Sequence, residues 1–134
     1  MGVRLNQFNL VVRDMAASVA FYRLLGLDIP DLEPEWSEWS DRHRSVAGSA
    51  FALDLDSVAF AREWDTGWVD ADGAGRMGVL GFQVDSAEEV DAVYGRLTAA
   101  GYAGEQEPYD APWGARYAVV VDPDGNPVGL MSPR

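Results

Sequence analysis

The stretch from Ala111 to Pro133 reads APWGARYAVVVDPDGNPVGLMSP, and its reading decides the fold. A β-rich run, Tyr117 to Val121, meets a turn at Asp122-Pro123-Asp124-Gly125, and a second short run follows from Val128 to Met131. Proline at the second turn position and glycine at the fourth suit a type I turn. The stretch is therefore a terminal hairpin, with Trp113 just upstream of it.

Upstream of the hairpin, Gly78 to Val84 reads as a strand. Ser86-Ala87-Glu88-Glu89 fits a capping box, in which the serine and the second glutamate satisfy each other's orphan donors. Val90, Val93 and Leu97 form the apolar stripe of the helix that follows, and Gly101 stops it. The same order occurs earlier in the chain. Leu5 to Val12 reads as a strand, Asp14 as an N-cap and Met15 to Leu25 as a helix, with Gly26 as its stop. Short strands are expected after each helix: Leu27 to Ile29, Arg44 to Ala47 and Ala50 to Leu55 in the first unit; Gly104 to Glu107, Tyr117 to Val121 and Val128 to Met131 in the second. Self-similarity of this kind marks two related units. The expected fold is α+β, two βαβββ units whose sheets curve around a ligand groove. One domain is expected over 1–134, with unit one at about 1–56, a linker at about 57–75 and unit two at about 76–134. The linker opens with a short helix, Asp56 to Trp64, capped by Asp56. Asp31 to Arg42, DLEPEWSEWSDR, reads as a polar surface loop or lid.

Composition narrows the function classes. A chain of 134 residues with 48% hydrophobic content is long and apolar enough for a core. It has no cysteine, which excludes disulfides and thiolate metal sites. No apolar run approaches the roughly 20 residues that span a bilayer, and the start, MGVRLNQF, has no signal-peptide pattern. No membrane partner and a cytoplasmic location are expected. The net charge is −12. A phosphate backbone needs a basic face, so nucleic acid is not an expected partner. Such a field attracts a cationic ligand, although solubility alone accounts for it.

The string DPDGN closing a strand pair, together with the strand–Asp–helix–Gly start at Leu10 to Gly26, resembles the vicinal oxygen chelate superfamily. That superfamily includes glyoxalase I, extradiol dioxygenases, fosfomycin resistance proteins and bleomycin resistance proteins. Gly101-Tyr102-Ala103-Gly104 and Pro112-Trp113-Gly114-Ala115-Arg116-Tyr117 are most similar to antibiotic resistance proteins of the mitomycin-binding type. The resemblance implies a glyoxalase/bleomycin-resistance-like fold of βαβββ units and a homodimer. It also implies four inward strand positions that hold a metal in the metal-dependent members. Carried over, those positions fall at Gln7, near Asp54, at Val79 and at Gly129. Valine and glycine offer no side-chain donor, and a transition-metal site takes three or four ligands. No metal and no cofactor are therefore expected.

Other chemistry is thinly signalled. His43 is the only histidine and lies in the polar run Ser40 to Arg44, where a solvated imidazole is expected and a Ser-His-Asp arrangement finds no support. Glu88 and Glu89 suit a helix N-terminus. Asp54 and Asp56 alternate on a strand and read as its solvated end, with an active carboxylate as the alternative. The aromatics carry the functional reading. Trp36, Trp39, Trp64, Trp68 and Trp113 all sit in loops or at element ends. Some would cover the sheet or a dimer contact; as a group they suit a groove with flat walls for a planar ligand. The resemblance makes Trp113 the stacking residue; Tyr109 precedes it and Tyr117 follows it. Trp36 and Trp39 are placed to close over a ligand from the lid, and Asp54, with Glu35, Glu38 and Asp110, to meet a cationic or hydrogen-donating group. The expected function is a metal-free protein that binds and sequesters an antibiotic-like planar natural product. A divergent lyase, dioxygenase or isomerase is the alternative, and a pure interaction module is a third.

Overall fold

The computed structural model describes residues 7–48, 50–65 and 79–134. The chain divides into two compact units, Met1–Ala71 and Asp72–Arg134. Trp68, the loop at 70–75 and the ends of two expected strands (5–6 and 78) lie outside the described residues.

In the first unit, β1 (Gln7–Val12) leads into α1 (Met15–Leu25). The Asp14 carboxylate accepts from the Ala17 amide at the start of α1, and Gly26 closes it with φ of 123°. A short 3-10 helix, Pro34–Trp39, lies within the expected lid. Next come β2 (His43–Val46), β3 (Ala52–Ser57) and α2 (Val58–Trp64). The sheet order is β1-β3-β2, with β1 parallel and β2 antiparallel to β3. Three sequence expectations change here. Leu27 to Ile29 forms no strand; Asp28 makes a single bridge to Ala47. His43 is not a loop residue but opens β2, where it faces Asp56. Asp56 does not cap α2, because its side chain is engaged across the sheet; Ser57 caps it instead, accepting from the Phe60 amide at 3.1 Å.

The register sorts this sheet into two faces. Leu10, Val12, Arg44, Val46, Leu53 and Leu55 alternate onto one face and are buried, as are Phe21 and Tyr22 of α1. Gln7, Asn9, His43, Ser45, Asp54 and Asp56 alternate onto the other, which follows from the two-residue period of a strand.

The second unit is βαβββ: β4 (Leu80–Gln83), α3 (Ala87–Ala99), β5 (Gly104–Asp110), β6 (Arg116–Val121) and β7 (Pro127–Met131). Its order is β4-β7-β6-β5. Ser86 caps α3, which buries Val90, Val93 and Leu97. The β6–β7 turn closes through Gly125 N–H to the Asp122 carbonyl at 3.0 Å, with Gly125 at φ 86°. Asp122 is buried and accepts from the Asp124 and Asn126 amides, so the DPDGN string supplies its own hydrogen bonds. The α+β class and the glyoxalase-like architecture are those expected. Among the described residues, no helix is long and apolar enough to cross a membrane.

Candidate functional site

The polar face of the first sheet is one hydrogen-bonded chain. Gln7 Nε2 donates to Asn9 Oδ1 at 2.8 Å and to Asp54 Oδ2 at 3.2 Å. Asn9 Nδ2 donates to Asp56 Oδ2 at 2.7 Å. The other Asp56 oxygen lies 2.5 Å from His43 Nδ1, and His43 Nε2 lies 3.4 Å from Ser45 Oγ. Asp56 is 1% exposed, so a carboxylate read from sequence as a solvated strand end is instead buried and satisfied. Burying a carboxylate is tolerated because each oxygen has a donor.

A cavity of about 390 Å³ opens on this face, lined by Gln7, Asn9, His43, Asp56, Phe60 and Trp64. Helix α2 supplies Phe60 and Trp64 four residues apart, hence on one side of the helix. Phe60 meets the His43 ring edge-on at 5.9 Å and the Trp39 ring at 5.5 Å. The Arg42 guanidinium lies 4.6 Å from the Trp39 ring centre and pairs with Glu63. Trp39 thus packs edge-on against Phe60, while Trp36 stands exposed on the 3-10 helix. The volume and the mix of aromatic wall with polar floor suit a small organic ligand.

The second unit carries the other aromatics. Trp113 sits 5.3 Å from Tyr117 and 6.5 Å from Tyr109, and the two tyrosines are 6.3 Å apart, all edge-on. The Trp113 loop is held by the Ala111 amide donating to the Ala115 carbonyl at 2.8 Å. Arg116 anchors its base, donating to Asp91 at 2.9 Å and Asp110 at 3.2 Å. Those two hydrogen bonds, Asp91 first, raise the Arg116 pKa further above its ordinary value. Trp113 is 40% exposed.

The metal positions do not fit a metal. A Cβ on Gly129 would lie 2.7 Å from the Tyr117 hydroxyl, so the tyrosine occupies the space a ligand side chain would need. Val79 is exposed and offers no donor. Gln7 and Asp54 are bonded to each other. Among the described residues, no group of three or more His, Cys, Asp or Glu could hold a metal ion.

Of the residues expected from sequence, the structure brings Trp39 and Trp64 to the first unit's cavity region and Tyr109, Trp113 and Tyr117 together in the second unit. Asp54 joins the polar network without lining the cavity. Sequence reasoning did not single out Asn9 or Phe60, and it read His43 and Asp56 as solvated, with an active carboxylate only as the alternative. The signal was available: Gln7/Asn9 and Asp54/Asp56 alternate with apolar residues, which marks a strand face too polar for a core.

A family model described as the glyoxalase/bleomycin resistance protein/dioxygenase superfamily matches residues 4–130. Similar solved structures include a glyoxalase-related enzyme from Fulvimarina pelagi, with TM-score 0.78 and 24% identity over 97% of this chain and 88% of that one. A glyoxalase/bleomycin resistance protein/dioxygenase from Nocardioides has TM-score 0.72 and 27% identity over 98% and 84%. A lactoylglutathione lyase from Agrobacterium tumefaciens has TM-score 0.67 and 23% identity over 98% and 94%. No curated protein matches the chain.

Proposed function

The chain belongs to the glyoxalase/bleomycin resistance protein/dioxygenase superfamily, and from that premise we propose that it is a metal-free binding protein that sequesters a flat, antibiotic-like small molecule. The observation that carries this reading is the first unit's cavity, with Phe60 and Trp64 above a floor of Gln7, Asn9, His43 and Asp56. Burying one aromatic ring is worth about 1.5–3 kcal/mol, and a stacked or edge-on aromatic contact adds about 0.5–1.5. Micromolar affinity needs about 8 kcal/mol after ordering costs, so the polar floor must contribute as well. The Trp113–Tyr109–Tyr117 cluster is a second aromatic surface for the same ligand class, and its motif is the one most similar to the mitomycin-binding type. The proposal includes the homodimer common in this family.

The test is a titration of intrinsic tryptophan fluorescence with mitomycin C and bleomycin on protein analysed for metal. Saturable quenching without bound metal supports sequestration. Trp64→Ala and Trp113→Ala then assign the surface, and affinity unchanged in both variants rejects the reading. The His43–Asp56 pair favours one alternative, a metal-free isomerase with His43 as base. Turnover of a compound that binds would put that in place of sequestration.

A further inference from the structure

His43 is the single histidine of the chain. Its Nδ1 lies 2.5 Å from Asp56 Oδ1, and Asn9 occupies the other carboxylate oxygen. A carboxylate only accepts, so Nδ1 carries the hydrogen, and in the neutral form of the ring the lone pair is on Nε2. The ring edge bearing Nδ1 is turned to a carboxylate with 1% exposure, whereas the His43 side chain is 34% exposed. His43 lines the cavity, and the ring atoms away from Nδ1, Nε2 among them, make up the part of the side chain not turned to Asp56. The edge-on contact with Phe60 holds the ring plane. Ser45 Oγ, at 3.4 Å, is too distant to satisfy Nε2 well.

We infer that this cavity selects a flat aromatic ligand bearing an acidic hydroxyl, a phenol or hydroxyquinone, whose O–H donates to His43 Nε2. The inference rests on the cavity being the ligand site. An anion is disfavoured there, because the Asp56 carboxylate lines the cavity, Asp54 sits behind its hydrogen bond to Gln7 on the same sheet face, and the chain carries −12. A neutral hydroxyl enters without that penalty. Positive charge developing on the imidazole as it accepts is stabilised by the adjacent Asp56 carboxylate, which strengthens the bond. Asp56 is thus the positioning residue and Asn9 its brace.

The predicted selectivity can be reversed through Asp56. In Asp56→Asn, an amide N–H facing Nδ1 moves the ring hydrogen to Nε2, and the acceptor becomes a donor, as in the triad analogue where Asn fixes the wrong tautomer. The experiment is calorimetric titration of wild type and Asp56→Asn with 2-naphthol and its methyl ether, 2-methoxynaphthalene. Wild type is expected to bind the naphthol about tenfold or more tighter than the ether. Asp56→Asn is expected to lose that ratio while still binding the ether. Imidazole nitrogen shifts of wild type by NMR decide independently of whether the variant folds. They are expected to report an Nδ1–H tautomer, with Nε2 moving on addition of naphthol and not of ether. Equal wild-type affinities, an Nε2–H tautomer or an Nε2 signal unmoved by bound naphthol overturns the inference and leaves the cavity a ligand site. If neither compound binds, the inference falls, and the sequestration reading is decided separately by the fluorescence titration.

Discussion

Asp56 keeps its carboxylate inside the first unit because two donors reach it, one on each oxygen. Removing a donor leaves a buried oxygen unsatisfied, which costs about 1–3 kcal/mol and more for a charged group. Asn9→Ala should lower stability by about that amount, read as an earlier urea midpoint at unchanged slope. Gly129 is constrained differently, since a Cβ there meets the Tyr117 hydroxyl at 2.7 Å. Gly129→Ala should swing that ring away from its neighbours, costing about 1–3 kcal/mol and changing the near-ultraviolet circular dichroism. An unchanged spectrum would mean the ring does not lie over the glycine in solution. At the surface, Arg23 donates to Asp31 at 2.9 Å, and that bond holds the carboxyl below its ordinary pKa. The folded state then favours the ionised form. The stabilisation is present above the ordinary carboxylate pKa and is lost as pH falls through the lowered one. Asp31→Asn should therefore melt below wild type at neutral pH and converge with it in acid; a gap that persists in acid argues against the linkage.

Element boundaries were legible where the signal is local. Asp14 and Gly26 bracket α1 as read, Ser86 opens α3, and Asp122 to Gly125 turns the last hairpin. Each depends on residues within a turn or two of one another. The start of β2 was not legible, because His43 becomes a strand residue only by pairing with Asp56, thirteen positions away, in a polar run that alone reads as loop. The candidate site was half legible for the same reason: the tryptophans advertise themselves by type, whereas the polar floor exists only in the register of three strands. Helix α2 shows how an element links stability to binding. It has seven residues and one side-chain cap, Ser57, yet carries both aromatic walls of the cavity. Losing such a cap costs about 1 kcal/mol. Ser57→Ala should thus fray α2, weakening ligand affinity several-fold with a small change in global Tm. Equal affinity in calorimetry would show that Phe60 and Trp64 are held by packing alone.

Over the whole molecule the dominant electrostatic fact is an excess of 22 acidic over 10 basic residues. Attractive pairs among the described residues include Arg23–Asp31, Arg42–Glu63 and Arg116 with Asp91 and Asp110, each at least partly exposed. Pairs of this kind contribute about 0–1 kcal/mol each, and salt screens them. Salt also screens the repulsion among the excess carboxylates, which acts over longer distances and opposes the compact state. The Debye length shrinks from about 30 Å at 0.01 M to about 8 Å at 0.15 M, so the long-range term is screened first. Repulsion should prevail over the local pairs, and Tm should rise on adding sodium chloride across that range. The same screening should weaken a cationic ligand more than a neutral phenol of equal size, because only the former uses the net field. A Tm that falls with salt would mean the surface pairs outweigh the excess charge. The acidic residues would then have to be treated as paired, and the argument that excludes anions from the cavity would lose its long-range support.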